Sequence, residues 1–155
     1  MKLNGIYTAL ITPFNDDYSI NEKAYAEVIN KIIEEGVHGI VVAGSTGENY
    51  AQTLEERLYL LKLSSEIIDK RVTFIAGTGG VIRTEDSILI AQSAKSNGAD
   101  AIMISSPPYA VPTSKENAIN AIAIEQSVNL PVLLYNYPGR TSINMDEEFL
   151  NLVSQ

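Results

Sequence analysis

Gly39-Ile40-Val41-Val42-Ala43, followed at once by Gly44-Ser45-Thr46-Gly47-Glu48, is the stretch on which the reading of this chain turns. Five consecutive apolar residues suit a strand buried on both faces, the kind found in parallel sheets. Beyond the loop, Thr53-Leu54-Glu55-Glu56 sets a threonine three residues before a glutamate, the signature of a helix-start capping box. A strand therefore runs into a helix through residues 44–48. Two glycines let that loop turn sharply and come close to a ligand. The hydroxyls of Ser45 and Thr46, with the neighbouring N–H groups, offer donors to an anion such as a carboxylate. The same glycines also suit a tight turn with no ligand, and the pentapeptide alone leaves both readings open.

The unit repeats on either side. Residues 5–12 form an apolar, β-prone run closed by Pro13 and the polar turn Asn15-Asp16-Asp17. Tyr25, Val28, Ile29, Ile32 and Ile33 then recur at helical spacing up to Gly36, a helix stop. Residues 53–69 read as a helix with Leu54, Leu58, Leu61, Ile67 and Ile68 inward and Glu55, Glu56, Arg57 and Glu66 outward. Val72-Thr73-Phe74-Ile75-Ala76 is a third strand leading into Gly77-Thr78-Gly79-Gly80, with a helix over residues 84–97 stopped by Gly98. Residues 101–104 are a fourth strand, and Pro107 and Pro108 bar helix or central strand after it. A second capping box, Thr113 to Glu116, starts a helix with Ile119, Ile122 and Ala123 inward. Val132-Leu133-Leu134-Tyr135-Asn136 is the fifth strand, Pro138-Gly139-Arg140 a loop, and Asp146 opens a last helix.

Strands recurring about every 30 residues, alternating with amphipathic helices, predict an α/β fold with a parallel sheet, either open and doubly wound or a stretch of (β/α)8 barrel. No linker or low-complexity segment divides the chain, so residues 1–155 read as a single domain. In both architectures the site is carried by the loops after the strands' C-terminal ends. Those loops hold Ser45 and Thr46, Gly77 to Gly80, Tyr109, Tyr135 and Arg140. Tyr135 ends an apolar strand, where its hydroxyl either faces the rim or packs in the core. Arg140 follows Pro-Gly on the same rim and is either a carboxylate clamp or a solvated surface residue. Tyr109 either packs or projects. The sole histidine, His38, precedes the second strand, at the opposite end of the sheet, and reads as structural.

A net charge of −8 over 155 residues argues against nucleic acid or an anionic membrane surface as partner. With no cysteine there is no disulfide framework, thiolate metal site or cysteine nucleophile. No His/Asp/Glu cluster has metal-ligand spacing, and neither a metal nor another cofactor is expected. The apolar stretch after Lys2 is broken by Asn4 and stopped at Pro13, too short for a membrane span and without a signal-peptide cleavage pattern. The chain reads as cytoplasmic.

Taken together and in this order, Thr12-Pro13-Phe14, Gly44-Ser45-Thr46-Gly47-Glu48, Ala76-Gly77-Thr78-Gly79 and Tyr135-Asn136-Tyr137-Pro138-Gly139-Arg140-Thr141 resemble the dihydrodipicolinate synthase / N-acetylneuraminate lyase family over the whole chain. The resemblance implies a (β/α)8 TIM barrel, here an incomplete one of about five βα units, in a homo-oligomer built of tight dimers. It also implies a class I aldolase, a lyase that holds pyruvate as a Schiff base on a lysine and joins it to an aldehyde. Carried over by position, Ser45, Thr46 and Gly47 form the loop that takes the pyruvate carboxylate, and Tyr135 relays protons. Tyr109 matches a tyrosine that crosses to the neighbouring subunit and completes a relay with Ser45 and Tyr135. Arg140 matches the arginine that binds the aldehyde's carboxylate in the synthase branch.

The family's lysine lies on the sixth strand, beyond Gln155. The seven lysines present, Lys2, Lys23, Lys31, Lys62, Lys70, Lys95 and Lys115, fall at the N-terminus, in helices or near helix ends. None is placed to be the desolvated amine this chemistry needs. Val81 and Pro108 stand where feedback-inhibited synthases often have an asparagine and a second tyrosine, which counts against feedback by lysine. The expectation is a truncated N-terminal portion of a longer enzyme. The alternative is a non-catalytic α/β module that keeps the carboxylate-binding loop.

Overall fold

The computed structural model describes residues 3–155. Five strands, β1 (Tyr7–Ala9), β2 (Gly39–Val42), β3 (Thr73–Gly77), β4 (Ala101–Ser105) and β5 (Val132–Tyr135), form one sheet in the order β1-β2-β3-β4-β5, every pair parallel. A doubly wound sheet would reverse direction at a switch point. This order never reverses, so the winding is that of a (β/α)8 barrel, of which the chain forms five consecutive units.

The helices are α1 (Glu22–Glu34), α2 (Leu54–Ile68), α3 (Thr84–Ser96), α4 (Ser114–Gln126), the one-turn α5 (Pro138–Thr141) and α6 (Glu147–Val153). Their boundaries follow from side-chain chemistry. Thr53 and Thr113 each accept from the backbone N–H three residues on, while Glu56 and Glu116 reach back to the cap N–H, so both predicted capping boxes are present. Asn21 caps α1 and Asp146 caps α6 through their side-chain oxygens. Gly36 (φ +87°) and Gly98 (φ +75°) turn the chain out of α1 and α3 in the left-handed region. No helix among the described residues is long and apolar enough to cross a membrane.

Two apolar layers follow from the strand period of two. Ile40, Val42, Phe74, Ala76, Ile102 and Ile104 pack outward on the helices, joining Tyr25, Leu60, Leu61, Ile90 and Phe149. Val41, Ile75 and Ala101 face the other way, with Tyr7, Met103 and Leu133 against them. Alternation along β5 puts Leu133 and Tyr135 on this inner face, and register sets Tyr135 opposite Ser105 of β4.

Three local expectations are corrected. Arg57 is not outward: it is fully buried, because Arg57, Leu60, Leu61, Ser64 and Ile68 share the face of α2 that packs inward. Ile119 is exposed, and α4 instead buries Asn117, Ala118, Ala121 and Ile124, of which the two alanines let the helix sit close. Residues 138–140 form the start of α5 rather than an open loop, since Pro138 at the first helical position fixes φ in the helical range.

Candidate functional site

The rim at the strands' C-terminal ends is built by backbone approaches that only some side chains permit. After β2 the chain makes a single 3-10 turn over Ser45–Gly47. The glycines do not make the sharp bends expected of them: Ala43 (φ +56°) and Glu48 (φ +58°) take the left-handed conformations, and Gly44 is extended. Gly47 is needed for proximity instead. A Cβ there would lie 2.8 Å from the Leu10 carbonyl oxygen. The Thr12 hydroxyl donates to the Gly47 carbonyl (2.8 Å) and so does the Gln52 amide (2.7 Å), fixing the turn against β1 and presenting Ser45 and Thr46 to solvent.

A second brace joins this turn to the next loop. The buried Asn49 amide donates to the carbonyls of Ala43 (2.9 Å) and Gly79 (3.3 Å). Gly80 lies against that amide in the left-handed region, and a Cβ on Gly77 would lie 2.5 Å from the Ala43 carbonyl oxygen. Arg57 supports β3 from behind, donating from Nη2 to the Gly77 carbonyl (3.0 Å), while its Nε and Nη1 are buried without a partner. Burial pushes its pKa down to about 10, which leaves the guanidinium charged at neutral pH.

These rims enclose a cleft of ≈ 540 Å³. One wall is the hydroxyl-bearing turn with Gly44, Ser45, Thr46 and Tyr50; the floor is Gly77, Gly79, Met103, Ser105 and Ser106; the far wall is Tyr135, Tyr137, Arg140 and Thr141. Of the site residues expected from sequence, Ser45, Thr46, Tyr135 and Arg140 come together here. Gly47 lies behind the turn, outside the lining. Tyr109 projects at 92% exposure with φ +68°, and only its neighbour Pro108 lines the cleft. His38 is at the other end of the sheet, where its Nδ1 accepts from the Ile6 N–H (3.0 Å).

Sequence reading missed Asn49, Gln52 and Tyr137. The first two tie their own loop to distant segments, Asn49 through the Gly79 carbonyl and Gln52 through the Thr12 hydroxyl, which leaves no local pattern. Tyr137 had a legible signal: it is the aromatic between Tyr135 and Arg140. Its ring meets that of Tyr135 edge-on (5.9 Å between centroids, 69°), and the Arg140 guanidinium carbon sits 6.0 Å over its centroid.

Donors facing a row of aromatic and cationic groups across a half-open cleft suit a small carboxylate-bearing molecule. The family model described as the Dihydrodipicolinate synthetase family matches residues 2–154. A 4-hydroxy-tetrahydrodipicolinate synthase of Bartonella quintana (strain Toulouse) is 37% identical over 153 residues, 99% of this chain and 52% of the relative. The synthase of the same name from Methylacidiphilum fumariolicum SolV superposes with a TM-score of 0.93 at 34% identity, covering 98% of this chain and 50% of that one. The chloride-inhibited dihydrodipicolinate synthase from Acinetobacter baumannii, solved in complex with pyruvate, gives 0.93 at 32% identity over 99% of this chain and 53% of that one. The chain spans about half the length of the curated relatives it matches.

Proposed function

The chain belongs to the dihydrodipicolinate synthetase family, and from that premise we propose that residues 1–155 are the N-terminal domain portion of a pyruvate-dependent class I aldolase of the 4-hydroxy-tetrahydrodipicolinate synthase type. The observation that carries the proposal is that one cleft gathers Ser45, Thr46, Tyr135 and Arg140 from separate βα units.

In this reading a lysine amine, supplied from beyond Gln155, condenses with the ketone of pyruvate to give an imine and water. Ser45 and Thr46 hold the pyruvate carboxylate through hydroxyls and backbone N–H groups, so the ketone carbon is presented in a fixed orientation. Tyr135, on the inner face at the end of β5, takes a proton during imine formation and returns it later. Loss of a methyl proton gives the enamine, whose carbon attacks an aldehyde; the new carbon–carbon bond forms and the aldehyde oxygen is protonated. Arg140 fixes the aldehyde by its carboxylate. Tyr109 serves the site of a neighbouring subunit, which agrees with its projecting away from its own cleft.

None of the described lysines lines the cleft, which supports an external source for the amine. The test is borohydride trapping with pyruvate, read by intact mass, on this chain and on a protein of the relatives' length. The expected result is an adduct on the longer protein and none on the 155-residue chain. No adduct on the longer protein would overturn the proposal. An adduct on the short chain would place the nucleophile among the seven lysines above.

A further inference from the structure

We propose that Tyr137 is a positioning residue that holds the Arg140 guanidinium over the cleft and thereby sets selectivity for a second substrate bearing a carboxylate; this rests on the aldolase reading above. Tyr137 precedes the one-turn helix α5, and its carbonyl accepts from the N–H groups of Arg140 (2.9 Å) and Thr141 (3.2 Å). A helical turn brings residues three apart to one face. That spacing lays the guanidinium over the Tyr137 ring, 6.0 Å from its centroid. The ring has a second aromatic contact: its edge meets Tyr135 at 5.9 Å.

Arg140 takes no part in the ion pairs of the described residues, which are Lys23–Glu27, Lys31–Glu35, Lys62–Glu66 and Arg83–Glu85. A ring face satisfies the cation without occupying its N–H donors. A carboxylate partner would have consumed the fork that a substrate carboxylate needs. The aromatic therefore does what an ion pair could not: it restrains Arg140 and leaves it free to bind. Because the same ring touches Tyr135, the residue proposed to move protons and the residue proposed to grip the aldehyde are spaced by one rigid side chain.

The test uses a protein of the relatives' length and two aldehydes of equal chain length, one with a terminal carboxylate and one neutral. Tyr137→Val or Tyr137→Leu is expected to raise KM for the charged aldehyde about two- to fivefold relative to KM for the neutral one, the range of one cation–π contact, while any change in kcat through the Tyr135 contact falls on both aldehydes alike. Tyr137→Phe keeps the ring and is expected to retain the charged-to-neutral preference. In an Arg140→Ala background, Tyr137→Val is expected to leave the charged-to-neutral ratio of KM values unchanged, because that preference passes through Arg140. The proposal is overturned if Tyr137→Phe loses as much as Tyr137→Val, which would assign the effect to the hydroxyl, or if the valine effect persists without Arg140. Pyruvate–borohydride trapping on each variant separates the two levels: wild-type protein that forms no adduct refutes the aldolase reading, whereas normal adduct with unchanged selectivity refutes only the role of Tyr137.

Discussion

Asn49→Asp tests how the cleft is assembled. The substitution keeps shape and replaces an amide that donates to two carbonyls, Ala43 at 2.9 Å and Gly79 at 3.3 Å, with a group that, when ionised, can only accept. Two buried hydrogen bonds at about 1 kcal/mol each are lost. The carboxylate also sits out of water among carbonyl oxygens, which raises its folded-state pKa; a shift of about 2 units adds about 3 kcal/mol. The expected loss at pH 7 is thus about 5 kcal/mol, a large part of the stability of an ordinary domain.

The pH dependence has a definite sign. An acid whose pKa is raised on folding holds its proton longer in the folded state, so the penalty is present above the folded pKa and fades as pH falls toward the unfolded value near 3.9. Urea midpoints of wild type, Asn49→Asp and Asn49→Ser at pH 7 and pH 4.5 measure this. The gap between wild type and the aspartate variant is expected to narrow between pH 7 and pH 4.5 by about 2 kcal/mol, while that of the serine variant stays constant. A gap below about 1 kcal/mol at pH 7, or one that fails to narrow, would refute the brace and with it the account of how the two loops are held together.

Gly77→Ala forces a methyl against the Ala43 carbonyl oxygen and is expected to cost about 1–3 kcal/mol, measured by the same unfolding assay. Arg57→Met removes a buried cation with one hydrogen bond and two unpartnered nitrogens. Its thermal midpoint is expected to match or exceed that of wild type, by up to about 2 kcal/mol in stability, and a clear drop would mean the charge is compensated. In a protein of the relatives' length, Tyr135→Phe is expected to lower kcat by about 100-fold or more with the pyruvate KM nearly unchanged. Equal effects on both would remove Tyr135 from the proton relay.

The strands were legible because a parallel strand buried on both faces must be an apolar run, and Ile40-Val41-Val42, Phe74-Ile75-Ala76 and Ile102-Met103-Ile104 have no other use. Capping boxes were legible because their chemistry is local. Arg57 was not: charge suggested an outward side, but its position three and four residues before Leu60 and Leu61 committed it to the buried face, and packing outweighed the residue's own preference. The glycines of the first rim loop were found but assigned the wrong task, since a sequence shows that a Cβ is missing and not what stands where it would be. Ser45, Thr46, Tyr135 and Arg140 line one cleft, whereas Tyr109 and Gly47 lie outside its lining. The holds of Asn49 on Gly79 and of Gln52 on Thr12 depend on how distant segments meet, which no spacing along the chain encodes, whereas Tyr137 lay in plain view between Tyr135 and Arg140.

Nearest-neighbour winding has a temporal consequence. Each strand pairs with the one just before it in the chain, so every pairing in the sheet closes one crossover of about 30 residues and none waits for a segment further on. The hydroxyl-bearing turn is held by β1 through Thr12 as soon as β2 docks. It gains its second hold only when Gly79 arrives and Asn49 bridges to it. The aromatic wall comes last, when β5 aligns Tyr135 with Ser105. In the order of synthesis, the wall that offers donors is therefore made before the arm that faces it.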